Sequence, residues 1–95
     1  MSGIIVDRAL LHLQSQSAEF RPGDAFVSVI FEIAASGFKV RVKAGNLKSI
    51  DPPIVLGKSK EVSRIFEVEE DARRYFKEQI EFHRQVGFHE SATHN

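Results

Sequence analysis

Lys39, Arg41 and Lys43 alternate with Val40 and Val42 in the stretch SGFKVRVK, residues 36–43. In an extended chain, successive side chains point to opposite faces, so the three cations share one face and the valines the other. Such a row can bind phosphate oxygens or carboxylates. With Lys48, Lys58 and Lys60 it forms a candidate site for an anionic partner. The competing reading is a solvated strand face, whose lysines oppose edge-to-edge aggregation. A further option is neutralisation by acidic residues of the chain itself.

The charge layout sharpens that question. Residues 1–38 carry net −2, residues 39–64 net +5 and residues 65–95 net −3, so a basic middle lies between acidic ends within a formally neutral chain. Neutrality overall weakens a nucleic-acid reading, as does the lack of interleaved aromatics beside the basic row. Nucleic-acid binding through the basic strand and loop 39–64 therefore stands as the alternative function.

Other constellations are weaker. Glu69-Glu70-Asp71 could ligate a hard cation, but successive helical residues diverge, and acidic residues suit a helix start. The four histidines, His12, His83, His89 and His94, show no HxxxH or HExxH spacing. No metal site and no cofactor are expected. There is no GxSxG, no GxGxxG and no P-loop; Gly57-Lys58-Ser59-Lys60 lacks the upstream glycine. No enzyme is expected. A ligand pocket lined by Phe31, Phe66, Phe76 and Phe82 is a third reading, but packed core is the commoner use of such rings.

The elements that must position these residues follow from periodicity. Residues 25–34, AFVSVIFEIA, read as a strand with Val27, Val29, Phe31 and Ile33 on one face. The other face holds Phe26, Ser28, Ile30 and Glu32 and is not cleanly polar. Phe26 and Ile30, with Ile65 from a strand over 61–68, make a candidate association surface. Residues 38–44 return from a hairpin at 34–37. Residues 46–60, with Pro52-Pro53 and Gly57, read as an irregular crossing. Residues 69–86 read as a helix ended by Gly87, with Glu69–Arg73, Glu70–Arg74 and Lys77–Glu81 as i, i+4 pairs. Residues 4–14 fit a helix through Ile5, Val6, Ala9, Leu10 and Leu13.

The expected fold is α+β: a small single domain over 1–88, with a flexible polar tail at 89–95. An antiparallel sheet of about three to four strands is packed by a long C-terminal helix, with an N-terminal helix beside it. Without cysteine, disulfides are excluded and a reducing cytoplasm is favoured. The N-terminus reads as neither signal peptide nor membrane span. The function expected is a small non-enzymatic cytoplasmic protein–protein interaction module, self-associating as a homodimer or homo-oligomer, or bound to another protein partner.

Overall fold

The computed structural model describes residues 3–13, 23–50 and 53–90. Five strands and one helix follow in the order β1 (Ile4–Leu13), β2 (Ala25–Ala34), β3 (Gly37–Ile50), β4 (Pro53–Phe66), α1 (Glu69–Gln85) and β5 (Phe88–Glu90). They form one antiparallel sheet of order β4-β3-β2-β1-β5. The domain is α+β but mostly sheet. The described residues form five strands rather than three or four, and one helix of 17 residues, so the expectation of a long helix dominating a small sheet is corrected.

The N-terminal helix is the largest correction. Residues 4–13 form β1, which pairs with β2 from Ile4↔Ile33 to His12↔Phe26. The register shifts between Ile5 and Asp7. That bulge inserts one residue and breaks the period-2 alternation, leaving an apolar spacing that mimics a helix. Beyond it, Ala9 and Leu11 turn toward the core, while Arg8, Leu10 and His12 turn to the opposite face. Ile5, Val6 and Leu13 are exposed, so three of the five apolar residues that suggested a buried helical stripe bury little.

Residues 46–60 are not a crossing either. β3 and β4 form one long hairpin whose ladder runs from Phe38↔Phe66 to Ile50↔Pro53, with register shifts between Ala44 and Asn46 and between Leu47 and Ser49. These irregularities bend the ladder rather than end it. Residues 88–90 pair with Leu11–Leu13, so His89 and Glu90, expected to open the polar tail, belong to the sheet.

The helix matches its expected span. Its first turn carries Glu69, Glu70 and Asp71, and its last carries His83 and Arg84, both favourable to the macrodipole. Gly87, at φ 117°, donates its N–H to the Arg84 carbonyl at 3.0 Å and turns the chain into β5. Ala72 and Phe76 pack with Leu11, Val27, Val29, Phe31 and Val40 to make the core, flanked by Phe38, Phe66, Tyr75, Ile80 and Phe88. All of these strand residues lie on one face. The helix covers one side of the sheet; on the other, Phe26, Leu47 and His12 are buried at the end where the β3–β4 arm bulges, and no described element lies over the stretch around Arg8, Ile30 and Arg41.

Candidate functional site

The face turned away from α1 is built by alternation. Val40 is fully buried toward α1, so Lys39 and Arg41 point the other way, and Lys43 follows. Cross-strand register then assembles the neighbours into rows. Arg8, Ile30, Arg41 and Ser63 form the central row across β1, β2, β3 and β4. On one side of it lie Ile5, Glu32, Lys39 and Ile65; on the other lie Leu10, Ser28, Lys43 and Glu61.

Arg41 is the hub of this surface. Its guanidinium lies 3.4 Å from the Glu32 carboxylate and 3.7 Å from that of Glu61. Both separations exceed the roughly 2.8 Å of a charge-assisted hydrogen bond. Arg41 Nε is buried without a hydrogen-bond partner. The two acids thus hold the guanidinium by charge and leave most of its donor capacity unused. Arg8, Lys39 and Lys43 make no side-chain ion pair within 4.0 Å among the described residues. Four bases against two acids leave the face at net +2.

The acidic helix does not neutralise the basic row, because it packs on the opposite side of the sheet. Its acids also pair locally: Glu69 with Arg73 at 2.6 Å, Asp71 with Arg74 at 3.2 Å and Glu81 with Arg84 at 3.8 Å. Arg74 thus takes Asp71 rather than the expected Glu70.

The six candidate bases do not converge. Lys39, Arg41 and Lys43 share the free face. Lys60 stands opposite Ala44 on the other face, and Lys48 and Lys58 sit in the bulged stretches of the hairpin. The three candidate association residues divide as well. Ile65 is 53% exposed opposite Lys39, and Ile30 is half-buried between Arg8 and Arg41. Phe26 is only 2% exposed and offers no free ring to a partner. Arg8 and Ile5 belong to the face and were hidden by the helical reading of β1.

His12 lies at one end of this face, opposite His89 on β5 and 4% exposed. Burial holds its pKa below the usual 6.5; His89 lowers it further and Asp24 acts the other way. The His83 ring meets Phe82 and Phe88 edge-on, with Nδ1 2.7 Å from the Gln79 carbonyl, and is part of the packing. Phe31 and Phe76 fill the core with ring centroids 6.2 Å apart, whereas Phe82 is 60% exposed, so the four candidate pocket rings do not surround one space. Among the described residues no three His, Asp or Glu side chains group as a metal site requires. No described helix is long and apolar enough to cross a membrane.

No family model, curated protein or solved structure matches this chain. The site's own chemistry carries the functional argument.

Proposed function

We propose that the chain is a small non-enzymatic protein-interaction module that docks a protein partner on the free face of its sheet. The single observation behind this reading is the composition of that face: Ile5, Ile30 and Ile65 set among Arg8, Lys39, Arg41 and Lys43, with no described element above them. An apolar surface rimmed by charge is the usual make-up of a contact site. The absence of cysteine fits work in a reducing, cytoplasmic setting.

The partner is a surface other than this face itself. A two-fold pairing whose axis passes through Ile30 would bring Arg8 of one copy against Arg41 of the other. That places like charges together at the centre of the interface, where desolvation makes them most costly. The expected homodimer therefore gains no support from this face. Nucleic acid, the alternative, would use the same unpaired cations. The burial of Phe26 counts against it, because single-stranded binding leans on exposed rings for stacking.

Sedimentation velocity, alone and with mixed-sequence oligonucleotides at low and moderate salt, tests the reading. A monomer that ignores the oligonucleotides at moderate salt agrees with it. Salt-sensitive co-sedimentation would replace it with the nucleic-acid reading. A dimer abolished by Ile30→Glu would replace it with self-association.

A further inference from the structure

The free face has a chemical preference that narrows its partner, an inference resting on the docking reading above. We infer that it binds an acidic, partly apolar polypeptide segment, with Arg41 as the central anchor for a carboxylate.

Charge complementarity is the first ground. The face carries net +2, and Arg8, Lys39 and Lys43 lack carboxylate partners among the described residues. Those three cations surround the Arg41 hub, so a segment laid across the face meets positive charge along β3 and from β1 into β3. Side chains two residues apart on a strand are about 6.7 Å apart. Lys39, Arg41 and Lys43 therefore match an extended segment with acids at alternate positions.

The state of Arg41 is the second ground. Arginine recognises carboxylates through its planar fork, best with two parallel hydrogen bonds. Here the fork is pre-positioned by Glu32 and Glu61 at 3.4 and 3.7 Å, without the short hydrogen bonds that would saturate it. An incoming carboxylate completes the shell of a cation already held in place, which lowers the ordering cost of binding.

The apolar residues are the third ground. Ile30 separates Arg8 from Arg41, Ile65 adjoins Lys39, and Ile5 closes the same row beyond Glu32. A purely anionic ligand leaves these side chains wet. A segment that alternates acidic and apolar residues covers both kinds of group.

A fluorescein-labelled synthetic peptide alternating Glu and Leu, titrated into the purified chain by fluorescence anisotropy, is the test. A peptide alternating Lys and Leu and an oligothymidine are the controls. The expected result is saturable binding of the acidic peptide that weakens roughly tenfold between about 50 and 300 mM salt. The double variant Lys39→Gln/Lys43→Gln should weaken it by a similar factor. Arg41→Lys keeps the charge that Glu32 and Glu61 need for folding but removes the fork, and should weaken binding several-fold. Lys58→Gln/Lys60→Gln should leave it unchanged. No saturable binding, or equal weakening by the Lys58/Lys60 pair, would overturn the inference. Preferential oligothymidine binding would overturn it in favour of nucleic acid. If the acidic peptide fails while partner cross-links in cells still map to Lys39 and Lys43, the acidic class falls and the docking face stands. If both fail, the docking reading falls with it.

Discussion

Phe26 stands directly opposite Gly45 on the neighbouring strand, and its ring is 2% exposed. A Cβ built on Gly45 would lie 3.1 Å from Phe26 Cε1 and 3.1 Å from Ser59 Cβ. The missing side chain makes room for the ring beneath the bulged hairpin arm, a familiar use of glycine in a bent strand. Gly45→Ala should cost about 1–3 kcal/mol through overpacking, read as a lower urea midpoint. Gly45→Val should cost more. An unchanged midpoint would mean that the arm does not close over Phe26.

The two faces should differ sharply in what they contribute to stability. Ile65 is 53% exposed on the free face, so Ile65→Thr should move the unfolding free energy by no more than about 0.5 kcal/mol. Phe31 is fully buried against Phe76, so Phe31→Ala should cost about 3–5 kcal/mol. Denaturant unfolding of both variants checks the contrast. A large loss at Ile65 would mean that something already packs on the free face.

Much of this architecture was legible in the residues. The alternation in 25–34 predicts β2 with its observed limits, and the i, i+3, i+4 spacing with Gly87 predicts α1 to within a residue. The facing of Lys39, Arg41 and Lys43 away from Val40 also follows from period 2 alone. β1 was not legible, because the bulge after Ile5 breaks its alternation and its exposed Ile5, Val6 and Leu13 imitate a buried stripe. Arg8 was lost from the site with it. β5 was invisible because three residues, two of them polar, carry no periodic signal; Leu11–Leu13 and the helix end select that pairing. The burial of Phe26 depends on its pairing with Gly45, distant in sequence, which no local pattern encodes.

His12 should make folding pH-dependent. Its pKa is lowered from the ordinary 6.5 by burial, so the unfolded chain binds the proton more readily than the folded one. Its stabilising contribution is present above the unfolded value and is lost as pH falls through that value toward the lowered folded one. Urea midpoints of the parent chain should therefore drop between about pH 7.5 and 5.5 more than those of His12→Leu. Parallel curves for the two proteins would contradict this.

The end of the fold is held by a small latch. Arg84 meets Glu90 across the turn at Gly87, and Phe88 packs against the core edge opposite Leu13. The Arg84–Glu90 pair is exposed, so Glu90→Gln should cost less than about 1 kcal/mol globally. Phe88→Ala should cost about 1–3 kcal/mol through lost apolar burial. Hydrogen exchange should accelerate at residues 88–90 in both variants while β2 and β3 amides stay protected. Uniform acceleration across the sheet would show that β5 is not a separable unit.

The claim that the free face is the working surface is tested most directly by lysine-reactive cross-linking in the native cells. Sites would be mapped by mass spectrometry, with and without nuclease treatment. The account predicts nuclease-resistant cross-links to a protein, concentrated at Lys39 and Lys43 rather than at Lys58 and Lys77, and lost in Ile30→Glu. Cross-links spread evenly over all lysines, or removed by nuclease, would contradict it.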